Sequence, residues 1–314
     1  MVARDEVETL IHIHNGDLVA ERVRHSDVPG RHVPFRESLV TGRVVPGSDW
    51  IESRARALHD GNGRDLLRIR TDLVEQEQFL EAVRNEDEIV LWFEHDLYCL
   101  VHFVHLLQRL DGARVSAIWS PEQLGDEDER SLHLLFESRR AVTPAMTRIA
   151  KDVWQDYTSS DPTRLNRWLT SESEEFPFLR EGLALHAARF PSTRNGLGSI
   201  EQQALELIAS GTGDFASLFE TISGGAPRLG LTDTELYRLV CGIAWNAAPL
   251  ATIAGDFPKV MCTITPAGEK VLAGEVDALA VNEPDFWLGG AHVTRENAWR
   301  WDGNRIVSSR SAAS

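Results

Sequence analysis

The segment from Leu10 to Asp17, LIHIHNGD, constrains the fold of this chain more than any other. Apolar residues alternate with His12 and His14, which is typical of a β-strand, and the Asn-Gly pair that follows predicts a tight turn. Beyond the turn, apolar residues at helical spacing predict a helix capped by Asp17. The segment therefore predicts a strand whose carboxyl end leads directly into a helix.

The same alternation continues along the first 140 residues. Strands are predicted at Arg31–Phe35, Glu88–Phe93 and Arg114–Trp119, and helices at 48–60, 64–84 and about 97–110. This order favours a mostly parallel sheet with helices on its faces. We therefore expect a Rossmann-like α/β ligand-binding domain at residues 1–140.

Two further regions are expected after this domain. Residues 141–195 form a predicted helical connector that ends in a turn-rich linker, and residues 196–314 form a second domain. In the second domain, three helices with predicted caps at Ser199, Asp214 and Thr232 precede two strands, which is a winged-helix-like α+β pattern. An aromatic β tail with Trp299 and Trp301 follows.

Charge and cysteine content limit the classes of function. The formal net charge is −16, which opposes non-specific attraction to nucleic acid or to an anionic membrane. The three cysteines have no paired spacing, so a disulfide framework is not expected. No signal peptide or membrane-spanning segment is predicted, and a cytoplasmic location follows as the expectation.

Polar residues gather where two of the predicted strands end. In a parallel sheet, neighbouring strands end at the same edge, and ligands bind there beside helix N-termini. Capping alone is an alternative explanation for Asp17 and Asp96. The candidate catalytic residues are Asp17, Glu94 and Asp96, and the candidate ligand-binding residues are His12, His14, Asn15, Gly16, Arg36, Glu37 and His95.

Two histidine patterns admit a metal or a structural interpretation. His12 and His14 point to one face of their strand, where they offer two imidazole ligands, with His95 as a third. Cys99, His102 and His105 recur on one helix face, but the apolar residues around them favour core packing. No phosphate loop, dinucleotide-binding glycine triplet or nucleophile elbow is present, so the cofactor stays unknown.

Three blocks of the sequence, His12–Asp17, Phe35–Gly42 and Leu91–Leu97, carry a family resemblance. With them the chain resembles a bacterial family known as domain of unknown function 1835, in its longer form. The chain departs from the family pattern at Arg43, where a proline is expected, and at Cys99 and Leu100, where an acid and a glutamine are typical. The resemblance supports the domain plan and the choice of site, and it implies no particular reaction.

The sequence leaves three hypotheses for function. The first is an enzyme or binding protein for a phosphorylated or nucleotide-like small molecule at the strand ends. The second is a non-catalytic transcription-associated regulator that uses the winged-helix module, although residues 200–274 carry eight acids and four bases. The third is a metalloprotein based on His12 and His14. Association with a second copy of the chain stays open.

Overall fold

The computed structural model describes residues 10–62, 64–225 and 229–308. Within these ranges, no helix combines the length and the apolar character that crossing a bilayer requires. The outer ends of the first and last predicted domains, residues 1–9 and 309–314, lie outside the described residues.

Residues 10–141 contain strands and helices in an alternating order, as the sequence predicts, although the two-residue strand at the end is not predicted. In chain order the elements are β1 (Leu10–Asn15), α1 (Asp17–His25), β2 (Arg31–Phe35), α2 (Trp50–Asn62), α3 (Leu66–Ala82), β3 (Glu88–Glu94), α4 (Leu97–Arg109), β4 (Val115–Ser120), α5 (Glu129–Glu137) and β5 (Arg140–Ala141).

These strands form one five-stranded sheet in the order β2-β1-β3-β4-β5. The first four strands are parallel to their neighbours, and β5 is antiparallel to β4. The register places His12 beside His32 of β2 and Val90 of β3. β2 and β3 flank β1 on opposite sides, so the strand order reverses between β1 and β3. The carboxyl ends of these two strands therefore mark the topological switch point of the sheet.

Alternate residues of the strands face two different apolar clusters. Ile13 belongs to the large cluster that also contains α4, whereas Trp92 and Ile118 pack with Val19 and Val23 of α1. Helices therefore cover both faces of the sheet. This arrangement explains why β3 is buried along its whole length.

The rest of the described chain consists of helices and three antiparallel hairpins, β6-β7, β8-β9 and β10-β11. Its elements are α6 (Pro144–Tyr157), α7 (Asn166–Leu169), α8 (Leu179–Ala187), α9 (Ser199–Ala209), α10 (Phe215–Ser223), α11 (Asp233–Ala244), β6 (Ala251–Ala254), β7 (Met261–Ile264), α12 (Pro266–Leu272), α13 (Ala278–Val281), β8 (Asp285–Leu288), β9 (Ala291–Thr294), β10 (Trp299–Trp301) and β11 (Ile306–Ser308).

The large apolar cluster draws on every predicted domain. It reaches from Ile11 to Ile306 and includes Leu100, Leu183 and Leu236. The predicted boundaries after residues 140 and 195 stay a prediction, as do the Rossmann-like and winged-helix-like assignments. The fold itself is a mixed α/β arrangement built on a mostly parallel sheet.

Two predicted helix caps are wrong. The N-cap of α1 is Gly16, because the Asp17 carboxylate turns away to an arginine. The N-cap of α9 is Gly198, and Ser199, the predicted cap, is the first residue of the helix. The Ser199 N–H donates to the carbonyl of Ala188. In contrast, Asp214 and Thr232 cap their helices through their side chains, as predicted.

Candidate functional site

The carboxyl ends of β1 and β3 bring together three of the candidate residues. Asn15 ends β1, Glu94 ends β3, and Asp96 caps α4 by accepting a hydrogen bond from the Cys99 N–H at 2.6 Å. Asn15 Nδ2 contacts Cys99 Sγ at 2.6 Å, and Glu94 Oε1 accepts from the Leu124 N–H at 3.0 Å. β1 pairs directly with β3, which is the condition under which the sequence places these two strand ends at one edge of the sheet.

This cluster contains potential metal donors. Among the residues that the structure describes, Glu94, Asp96 and Cys99 offer ligand atoms that all lie within 4.8 Å of one another. Burial, followed by the nearby carboxylates of Asp96 and Glu94, raises the pKa of the Cys99 thiol well above its usual value. Cys99 is therefore a protonated thiol at neutral pH, unless a bound cation displaces its proton.

A segment from the C-terminal half covers the start of α4. The Tyr98 N–H donates to the carbonyl of Leu229 at 3.3 Å. Gly230 has a φ of 66°, and a Cβ there would lie 2.8 Å from Asp96 Oδ1 and 2.6 Å from Tyr98 Cβ. Only a glycine can pack this closely against Asp96, so the cluster is closed on this side.

A second group of candidate residues lies at the surface, at the start of α1. Arg36, directly after β2, holds Asp17 through Nε and Nη2, with the shortest distance 2.6 Å. The hydrogen bonds from Arg36 lower the pKa of the Asp17 carboxyl. Both side chains are exposed. They line a cavity of about 460 Å³ together with Arg24 and Pro34.

Glu37, one of the candidate ligand-binding residues, is buried and paired within the protein. Its carboxylate accepts from Arg54 Nη2 at 2.8 Å, and both side chains are almost completely buried. Arg54 also donates to three backbone carbonyls of the same loop, those of Ser38, Thr41 and Arg43. The pair therefore fixes the loop between β2 and α2 and leaves the Glu37 oxygen that binds Arg54 unavailable to a ligand.

His12 and His14 lie on the sheet face that packs against α1, and both are completely buried. They stack with His32 of β2, at centroid distances of 4.4 Å from His12 and 5.2 Å from His14. His95 lies elsewhere, with its ring 5.1 Å from Trp119 and stacked on Phe178. The structure thus does not bring His95 to His12 and His14 as the third ligand of the metal hypothesis.

Cys99, His102 and His105 are buried in the core, as the sequence predicts. The Leu39 N–H donates to His102 Nε2 at 3.2 Å, and the His105 ring packs on Trp154 at 4.6 Å. His102 therefore holds the loop before α2, and His105 packs as part of the core.

Sequence reasoning missed four residues that shape this region: His32, Arg54, Tyr98 and Gly230. The signal for His32 was its place in a predicted strand, but its contact with His12 depends on strand order. Arg54 and Gly230 act on residues far away in the chain, and no local pattern marks such partners.

A scan against protein-family models finds no match, and a search of curated proteins finds no significant match. Membership in the family suggested by the sequence blocks therefore stays a prediction. The class that the fold defines is a mixed α/β protein with polar side chains at the carboxyl edge of a mostly parallel sheet.

Proposed function

We propose that this protein binds a phosphorylated or nucleotide-like small molecule at the carboxyl end of β1. The observation that carries the proposal is the turn into α1, where no side chain caps the first amides of the helix. Gly16 has a φ of 87°, and apart from its two chain neighbours no atom of the described residues lies within 4 Å of the position its Cβ would take. The N–H groups at a helix start attract anions, and a glycine lets a ligand approach the backbone closely.

Arg36 supports the proposal because it adds positive charge beside this turn. Its guanidinium grips the Asp17 carboxylate through two nitrogens, a geometry that a phosphate group can reproduce. Arg24 lines the same cavity, where its guanidinium pairs with the carboxylate of Glu21 at 2.6 Å. A phosphate that replaces the Asp17 carboxylate would contact Arg36 and the amides of α1 together.

Glu94 and Asp96 are the proposed groups for acid–base chemistry or for holding a divalent cation. Glu94 is the last residue of β3, the strand next to β1, and Asp96 follows two residues later. Cys99 adds a third potential metal-ligand atom. Both carboxylates are buried, and Gly230 packs against Asp96. The geometry consequently supports anion binding at Arg36 more directly than a reaction at Asp96.

A melting-temperature screen tests the proposal. The ligands are inorganic pyrophosphate, nucleotides and sugar phosphates, each with and without a divalent metal. Binding to the native state stabilises it, and a ligand at 100 times its dissociation constant adds about 2.7 kcal/mol. We expect at least one compound to raise the melting temperature of the wild type.

Variants show whether a shift arises at the proposed site. Arg36→Gln should lose it, whereas Arg180→Gln should keep it, because Arg180 is also an exposed arginine paired with one carboxylate but lies on α8. A screen with no shift, or a shift that survives Arg36→Gln, argues against binding at this turn.

The arrangement of residues 199–264 favours one other function, that of a transcription-associated regulator. A β-bridge joins Asp214, between α9 and α10, to Met261 of β7. The order of helix, bridge, two helices and hairpin is that of a winged helix, which supports the winged-helix hypothesis. A gel-shift titration at low salt tests it, since binding to nucleic acid must weaken steeply as salt rises. No retardation at low salt would leave this hypothesis with protein partners only.

A further inference from the structure

Three buried imidazole rings form a compact group on one face of the sheet. We call His12, His14 and His32 the histidine stack. Their centroids lie 4.4, 5.2 and 6.1 Å apart, and all three pairs are stacked. Trp92 of β3 flanks the group, with its ring 5.6 Å from that of His14.

The hydrogen bonds of the stack assign a neutral tautomer to each ring. Trp92 Nε1 can only donate, so His12 Nδ1 accepts at 3.0 Å and His12 Nε2 donates to the carbonyl of Pro29. His32 Nε2 donates to the carbonyl of Val28 at 3.0 Å, which leaves His32 Nδ1 to accept from His14 Nε2.

Protonation breaks this network. A proton on His12 Nδ1 would face the indole N–H of Trp92, and a proton on His32 Nδ1 would face the N–H of His14. His14 Nδ1 is buried and has no hydrogen-bond partner in the described structure. Each added charge would also lie beside a neighbouring imidazole.

The charged groups around the histidine stack do not offset this cost of protonation. Arg24 of α1 lowers the pKa of His14 and of His32, and Arg139, just after α5, lowers that of His12. Glu88 of β3 acts in the opposite direction on His12, but Arg139 already holds its carboxylate through two hydrogen bonds of 2.9 Å.

Burial is the largest cause of the lowered pKa in all three rings, and the pKa of His12 falls to about 4. The unfolded state binds protons near pH 6.5, so this region loses stability as the pH falls below that value.

We propose that the histidine stack is a pH switch, whose protonation at acid pH loosens the packing of α1 and of the carboxyl end of β1. β1 carries His12 and His14 and leads through Asn15 into α1, and α1 packs its Val19 and Val23 into the same cluster as Trp92. Protonation of the stack therefore loosens the layer that contains the start of α1. Release of a bound anion at acid pH rests on the proposed function, whereas release of α1 does not.

Hydrogen exchange measured by mass spectrometry tests the release of α1. Exchange is compared at pH 7.5 and pH 5.0 after correction for the intrinsic rate at each pH. We expect peptides from α1 and β2 to lose at least tenfold protection at pH 5.0, while peptides from α3 change less. Equal loss in all elements, or no loss in α1, would overturn the proposal.

A double variant isolates the stack. In His12→Gln/His32→Gln each amide keeps one donor and one acceptor but takes up no proton near pH 6, so the acid-dependent loss should become much smaller, with His14 the only ring of the stack left to take up a proton. His292→Gln is the control, because His292 is a half-exposed histidine on β9 beside Asp285. If the double variant loses protection at pH 5.0 as the wild type does, the stack is not the trigger.

A titration of the wild type followed by NMR keeps the test valid if the double variant fails to fold. The imidazole signals of the stack should change only together with the amide signals of α1. Independent titration of these rings near pH 6.5, with α1 unchanged, would also overturn the proposal. Because neither experiment uses a ligand, their outcome is separate from that of the ligand screen.

Discussion

At the scale of single residues, the carboxyl edge of the sheet depends on partners that the sequence does not place side by side. Arg54 reaches from α2 to Glu37, and His32 joins the stack because β2 pairs with β1. Local patterns indicated the strands and the polar residues at their ends. They could not indicate these pairs, since the partners are 17 and more residues apart and meet only after the sheet has assembled.

Arg54→Gln should destabilise the protein by about 3–5 kcal/mol, because it leaves the Glu37 carboxylate buried without its counter-charge. Arg56→Gln is the matched control, since Arg56 lies on the same helix but is exposed. That change should cost about 0.5 kcal/mol or less. Urea unfolding of both variants measures the difference, and similar losses in the two would contradict the role given to Arg54.

Asp17→Asn should increase the affinity for a phosphorylated ligand, because the Asp17 carboxylate occupies the guanidinium that the phosphate would use. The pair is exposed, so the gain is modest, about twofold to fivefold. Calorimetric titration with the best compound of the screen measures it. Weaker binding by Asp17→Asn would mean that the carboxylate contacts the ligand rather than competing with it.

At the scale of elements, β3 and β4 were predictable because each is a largely apolar run bounded by polar residues, whereas β5, β8 and β9 were not predicted. Glu88–Phe93 was predicted as a buried strand, and β3 covers Glu88–Glu94. The residues at which helices begin were harder to predict. The sequence offers Asp17 as a cap, but Arg36 binds its carboxylate and Gly16 takes the cap position.

The segment before α11 also joins elements that are distant in the chain. Gly230→Ala should destabilise the protein more than Gly274→Ala does. Both glycines have positive φ values, 66° and 76°, so both substitutions carry a backbone cost of about 1–2 kcal/mol. A Cβ at Gly230 also collides with Asp96 and Tyr98, whereas at Gly274 the nearest atom is 4.0 Å away. Thermal unfolding compares the two, and equal losses would show that Gly230 does not close the cluster.

At the scale of the whole molecule, buried histidines occupy both sides of the sheet. His102, His105 and His186 lie in the large cluster region and are buried like the histidine stack. Burial lowers the pKa of all three, that of His105 to about 3. The sequence predicted core packing for His102 and His105, but the burial of His186 had no local signal.

The free energy of unfolding should therefore fall as the pH decreases below 6.5. These histidines stay neutral in the folded state, while the unfolded state takes up protons, and each contributes about 1.4 kcal/mol per pH unit. The loss should level off only below the folded-state values, about 4 for His12 and about 3 for His105. Urea unfolding at pH 7.5, 6.0 and 5.5 measures the slope. A slope of about 1.4 kcal/mol per pH unit or less corresponds to one proton at most, and it would contradict the burial of several neutral histidines.

The central claim is that an anion binds where β1 ends and α1 begins. The most direct test is a titration of the isotope-labelled protein with pyrophosphate, followed through backbone amide signals in NMR spectra. We predict saturable shifts centred on Gly16, Asp17 and Leu18, together with the Arg36 side chain. Shifts confined to other parts of the chain, or none at millimolar pyrophosphate, would contradict the claim.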